Sequence, residues 1–299
     1  MQKRIVSLFL VFMIGCAGCR PGAADKKRPS EPAPLTVAVS VEPHAFLIDQ
    51  IGGGKVRVEV LVPQGKEPET YQITPEKLAA LSRIKVYFRT GMPFEEKLIP
   101  KLQSVSKHVR VIDLRDGIEL RTLEIHRHSA DADHDHRHHH ETDPHIWFAP
   151  SLLQREAGAV LNVLQECQPS EADFFRKNYE TLQAKIDGLQ REIAELLKPV
   201  RERQVFVLHP AYGYFCDEFQ LVQRAVEFEG KSPKPQQIAE LIEIIKKLER
   251  PPVIFVQPEF HPSSAKALAE AVKAELVIHS PLDRDILKSM KQFAEKLAK

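Results

Sequence analysis

Neither sign of charge dominates this chain: 42 lysines and arginines meet 41 aspartates and glutamates over 299 residues, a formal net charge of +1. No basic run is interleaved with aromatics, so a nucleic-acid surface is excluded. Beyond the first residues no apolar run is long enough to cross a bilayer as a helix. Cysteine is scarce too, and only Cys167 and Cys216 fall well inside the chain, read as two separate buried thiols rather than a disulfide. There is no HExxH helix, no nucleophile motif and no acid–base pair at a recognisable spacing, which leaves enzyme chemistry without a sequence signature.

The start, MQKRIVSLFLVFMIGCAGC, is basic at Lys3 and Arg4, apolar from Ile5 to Ile14, then small-residue and cysteine-bearing. This pattern predicts an export signal over 1–19. Both Ile14-Gly15-Cys16 and Ala17-Gly18-Cys19 resemble a bacterial lipobox. Cys16 is the preferred lipidation site and Cys19 the alternative. An ordinary cleaved signal would instead leave a soluble periplasmic protein. Residues 20–34 are Pro-rich, charged and poor in apolar side chains, the composition of a flexible spacer.

After the spacer, strand-like runs alternate with helical ones. TVAVSV (36–41), VRVEVLV (56–62), IKVYF (84–88) and VRVID (109–113) are separated by helical stretches near 45–51, 75–82 and 94–105. VFVL (205–208), VIFV (253–256) and LVI (276–278) repeat the theme, with helices near 235–248 and 263–273. Such alternation predicts an α/β protein with two parallel-sheet lobes, 35–169 and 200–299. Between them Phe175, Tyr179, Leu182, Ile186, Leu189, Ile193 and Leu196 recur at alternating spacings of four and three. One long amphipathic helix over 170–199 accounts for that spacing, capped by Ser170 with Asp173 and ended by Pro199.

Ligands in parallel α/β lobes collect beyond the carboxyl ends of strands. Three such places hold metal-capable side chains: Glu67 and Glu69 after the second strand, His145 in DPHIWFAP ahead of a helix at 151–166, and His209 in LHPAYGYF. Imidazoles with a carboxylate suit zinc, manganese or iron(II). His44, after the first strand, would lie near the same cleft mouth; it reads first as a partly exposed histidine at a helix start, with a ligand role as the alternative. His108 and His261 read as surface residues, Tyr212 and Tyr214 as walls of the site or interlobe packing.

Gly65–Pro75 (GKEPETYQITP), Asp143–Pro150 (DPHIWFAP), Leu208–Phe215 (LHPAYGYF), Glu229–Pro235 (EGKSPKP) and IFVQPEF at Ile254–Phe260 occur in an order that resembles the zinc/manganese-binding solute-binding proteins of bacterial ABC importers, the ZnuA/TroA-like family. The resemblance runs from about Thr36 to the C-terminus. It implies a monomeric extracytoplasmic receptor holding an ion between two lobes and delivering it to an ABC permease driven by its ATPase. The family's second and third histidines fall on His145 and His209. Two positions depart: Glu69 stands where the family has histidine, and Ser280, in HSPLD, where it has aspartate. Glu69 can still bind a divalent ion. Serine is a poor zinc ligand, which leaves the fourth position to water, a second oxygen of Glu69, or a neighbour among Glu67, His279, Asp283 and His44.

Between His126 and Trp147 lie eight of the thirteen histidines. His126, His128, His134, His136, His138, His139 and His140 alternate with acids and have no apolar stripe, so the loop 126–142 reads as a low-affinity zinc collector or as solvated filler. Imidazole-rich sequence favours Zn2+ as the cargo; Glu69 argues towards Mn2+ or Fe2+. The other readings are an extracytoplasmic zinc buffer or adhesin and, taking Glu69, His145 and His209 as a facial triad, a metallo-hydrolase or oxygenase.

Overall fold

The computed structural model describes residues 34–122, 142–227, 234–249 and 251–299. Strands β1 (Leu35–Val39), β2 (Val56–Val60), β3 (Val86–Arg89) and β4 (Arg110–Asp113) form one sheet in the order β2-β1-β3-β4. Strands β5 (Gln204–Val207), β6 (Val222–Ala225), β7 (Val253–Val256) and β8 (Glu275–Ile278) form another, in the order β6-β5-β7-β8. Every pairing is parallel, with Val37 opposite Val58 and Val86, and Phe206 opposite Ile254. The two-lobed parallel α/β class expected from the alternation is therefore the observed one.

The helices between strands start where proline fixes the first turn. Pro75 opens α2 (Pro75–Ala80), capped by the Thr74 hydroxyl accepting from the Lys77 amide at 3.3 Å. Pro93 and Pro150 likewise open α3 (Pro93–Val105) and α4 (Pro150–Cys167). Pro43 draws α1 (Glu42–Gly52) back to Glu42, three residues ahead of the expected start at Ala45, so His44 lies inside the helix. The long helix α5 (Ala172–Leu197) has 26 residues, about 39 Å at about 1.5 Å per residue. Its start differs from expectation: a 3-10 turn, Pro169–Glu171, takes up Ser170, and no side chain caps the helix. The buried stripe ends on Leu197 rather than Leu196, with Tyr179 only half-buried.

Three elements have no counterpart in the sequence reading: β6, α6 (Gly213–Glu218) and the last helix, Ile286–Leu297. With α7 (Pro235–Lys246) and α8 (Ser263–Val272) in the second lobe, that last helix is α9. Its Ile286, Met290, Phe293 and Leu297 join one continuous core with Val37, Val39, Phe88, Trp147, α5 and Phe255. A smaller core of Phe206, Val226, Ile254 and Val256 lies under α7 and α8. Each fully buried side chain of this size stabilises the fold by about 1.5–3 kcal/mol. Cys167 and Cys216 are separate thiols, as expected.

Direct bonds join the lobes. The Trp147 indole donates to the Pro281 carbonyl at 2.8 Å, and Arg284 pairs with Glu42 and Asp49 of α1. The carboxyl ends of both sheets therefore face the same region. Among the described residues no helix is long and apolar enough to cross a membrane. The predicted signal, spacer, lipidation cysteines Cys16 and Cys19, and the histidines from His126 to His140 lie outside the described residues.

Candidate metal centre

Glu69 follows β2, His145 precedes the 3-10 turn Ile146–Phe148 that leads into α4, and His209 follows β5. Their donor atoms converge. His209 Nε2 lies 3.3 Å from Glu69 Oε1 and 3.3 Å from His145 Nε2, and His145 Nε2 lies 4.0 Å from Glu69 Oε1. In a tetrahedral zinc site with bonds of about 2.0–2.1 Å, geometry puts any two donors about 3.3 Å apart. The spacing thus admits one such ion, and these three form the only potential metal-holding group among the described residues.

Each imidazole is aimed by its surroundings. Asp143, itself buried, accepts at one Oδ1 from both the His145 amide at 2.9 Å and the His145 ring Nδ1 at 2.8 Å. With Nδ1 carrying the proton, the Nε2 lone pair is turned to the cleft. The Asp143 carbonyl is in turn held by the Tyr214 hydroxyl at 2.8 Å, and Arg121 donates to the Gly213 carbonyl at 2.7 Å. At Gly213 an added Cβ would come within 2.8 Å of Arg121 Nε and 3.0 Å of Asp143 Oδ2, so any side chain there would have to displace the end of Arg121. On the other side, Gln257 clamps the His209 backbone by accepting from its amide at 3.1 Å and donating to its carbonyl at 2.7 Å. Phe260 stacks on the His209 ring with centroids 4.5 Å apart.

The electrostatics describe a proton in place of the cation. Burial opposes charging His209, but Glu227 and Glu69 outweigh it and raise its pKa to about 10. Glu227 Oε1 lies 3.8 Å from His209 Nδ1, so its influence is through charge rather than a good hydrogen bond. Burial pushes Glu69 up, and the bond and charge of His209 with the charge of His145 pull it down to about 2. Without a metal the pair is an imidazolium and a carboxylate.

The remaining candidates are engaged elsewhere. His44 corrects both expectations, of partial exposure and of a place at the cleft mouth: as part of α1 it is fully buried, with Nε2 2.9 Å from Glu156 Oε1. His279 has no donor to spare. Its Nδ1 accepts from the Tyr212 hydroxyl at 3.0 Å, its Nε2 faces the Ser289 carbonyl at 3.0 Å, and burial lowers its pKa to about 4. Glu67 accepts from Thr70 at 3.0 Å. Ser280 donates to Glu259 at 3.0 Å and accepts from the Leu282 amide at 3.1 Å. Asp283, its carboxyl raised by burial, lines a small cavity with Glu259 and Ser280. His108 and His261 are exposed, and Tyr212 is buried against Phe293. Glu227, Gln257 and Glu259 escaped the sequence reading; Gln257 and Glu259 lie within the quoted IFVQPEF, one strand end away from His209.

Residues 37–299 match the family described as zinc-uptake complex component A, periplasmic. The chain belongs to that family. Relatives of the zinc-uptake family include the high-affinity zinc uptake system protein ZnuA of Brucella abortus, 26% identical over 95% of this chain and 93% of that protein. ZnuA of Yersinia pestis is 26% identical over 85% of each. A crystal structure of ZnuA superposes with a TM-score of 0.80 at 31% identity, covering 89% of this chain and 98% of that one. The periplasmic zinc-binding protein TroA of Treponema pallidum shares the fold at a TM-score of 0.75 and 18% identity, over 89% of this chain and 98% of that one. The family is defined by metal uptake rather than by a reaction.

Proposed function

We propose that this chain is the extracytoplasmic receptor of an ABC importer, which captures one divalent transition ion, zinc foremost, on Glu69, His145 and His209 and passes it to a membrane permease powered by an ATPase. The observation that carries the reading is the donor spacing of 3.3, 3.3 and 4.0 Å among three side chains from three separate loops. The buried Asp143 behind His145 supports it, since a carboxylate on the far nitrogen fixes ring orientation and raises ligand basicity. Relatives named for high-affinity zinc uptake support zinc as cargo. Periplasmic residence fits the family; anchoring through lipid on Cys16, or Cys19, completes the proposal, with the histidines from His126 to His140 as a weak collector. Titration of the mature protein with zinc against a chromophoric chelator tests it: one tight equivalent is expected, and the His145→Ala, His209→Ala double variant loses it. Tight binding that survives in the double variant rules the cleft out.

One observation favours a harder cargo. Glu69 is a carboxylate among the donors, and oxygen ligands suit manganese and iron(II) better than a third imidazole would. A parallel titration with Mn2+ separates the readings, because a manganese receptor must hold Mn2+ tightly enough to be loaded at micromolar concentration.

A further inference from the structure

We propose that Glu259 supplies the fourth donor to the cargo ion, doing what Ser280 cannot. The inference rests on the cleft reading above and adds a ligand to it. Three placements carry it. Phe260, stacked on the His209 ring, fixes the adjoining Glu259 on the His209 side of the cleft. Glu259 and Ser280 line one small cavity together with Gln64, Lys66 and Pro68, the last being the residue before Glu69. The Glu259 carboxylate is also half used: Oε1 accepts from Ser280 Oγ at 3.0 Å, while Oε2 is buried without a hydrogen-bond partner.

An unsatisfied carboxylate oxygen costs free energy in the metal-free protein and is at once a free donor for a dication. Charge points the same way. A dication among the donors would be held directly by only one carboxylate, Glu69, since Asp143 and Glu227 lie behind the two imidazoles, and a second carboxylate oxygen would meet the ion itself. Ser280 then has a positioning role. Its oxygen accepts from the Leu282 amide, so its single proton is directed to Glu259, holding that carboxylate beside the cleft until an ion draws it in. The loaded site is therefore two imidazoles and two carboxylates.

The experiment uses Zn2+ affinity together with the visible absorption of Co2+, whose ligand-field bands report coordination number and donor type. Glu259→Gln keeps shape and removes charge. It is expected to weaken zinc by more than the roughly 10–100-fold typical of losing an outer partner of a metal ligand, and to change the cobalt spectrum. Melting of the metal-free variant should match or exceed the parent, which shows that the fold is intact. Adding Ser280→Asp to Glu259→Gln should restore most of the affinity by placing a carboxylate on the neighbouring loop. Unchanged affinity and spectrum in Glu259→Gln overturn the proposal, as does weakened affinity with an unchanged cobalt spectrum, which marks an electrostatic neighbour only. If the His145→Ala, His209→Ala variant has lost the tight ion while Glu259→Gln has not, the fourth-donor assignment alone fails. If the double variant still binds tightly, the cleft reading fails and this assignment falls with it.

Discussion

Two buried histidines flank the indole of Trp147, His44 at 5.5 Å and His145 at 5.3 Å between ring centroids, and each touches a carboxylate. Glu156 sits 2.9 Å from His44 Nε2, sealed from solvent. Asp143 sits 2.8 Å from His145 Nδ1. The difference is which nitrogen the carboxylate takes. In the first pair the carboxylate takes Nε2 and Nδ1 is left buried with no converging donors around it among the described residues; in the second the carboxylate takes Nδ1 and Nε2 is left facing another imidazole and Glu69. Burial and a carboxylate partner do not make a ligand; an unspent nitrogen with converging neighbours does.

The largest test of that contrast is already stated: the double alanine variant at His145 and His209 abolishes the tight zinc equivalent. His44→Ala should act on the other axis. Removing one partner of a buried hydrogen bond and leaving the other unpaired costs about 1–3 kcal/mol, so chemical denaturation should shift by that order while zinc stoichiometry is kept. Loss of zinc binding from the folded His44→Ala protein would erase the distinction between the two histidines. Glu69→Ala, which removes a donor proposed to touch the ion, should weaken zinc by more than the roughly 10–100-fold typical of losing an outer partner, and NMR titration of its metal-free form should show the His209 pKa falling from about 10 as one of its two carboxylate neighbours disappears.

Smaller in size is a proton. At pH 8 His209, with a pKa of about 10, is charged in the metal-free protein, so zinc must displace about one proton. Calorimetry in buffers of different ionisation enthalpy should read that release, with apparent affinity rising about tenfold per pH unit between about pH 7 and 9. The metal-free fold should follow the opposite course. Glu69 stabilises it above its ordinary value of 4.5, a contribution lost as pH falls through about 2. His209 stabilises it below 6.5, a contribution lost as pH rises through about 10. Melting without metal should therefore be highest between 4.5 and 6.5, and a maximum above pH 8 contradicts the pairing. The smallest expected effect is from excising residues 123–141. Thr122 and Thr142 bridge in antiparallel fashion at the two ends of that segment, so a short replacement should leave the tight equivalent unchanged.

The sequence made Glu69, His145 and His209 readable because each sits at a strand end or helix start, where local pattern locates it. Glu156 was not readable as the partner of His44, since 112 positions separate them and only packing of α1 on α4 joins them. Pro43 was the available clue that α1 begins early enough to carry His44 inside. β6, Val-Gln-Arg-Ala, has no alternation strong enough to announce a strand; its place comes from pairing with β5. α9 did carry a signal, Ile286, Met290, Phe293 and Leu297 at helical spacing, which the strand-led reading passed over. Glu259 belongs to neither class: its relevance depends on a serine 21 positions later that points back at it.

Trp147 has a use beyond packing. The chain contains one tryptophan, and its ring lies edge-on to His145 while its N–H is bonded to Pro281 of the other lobe. All indole emission from the native protein therefore comes from a single fluorophore that is in contact with a proposed ligand and tethered across the cleft. Arrival of an ion, or any rearrangement of the two lobes, must pass through its immediate surroundings, so ultraviolet fluorescence reads occupancy without a label.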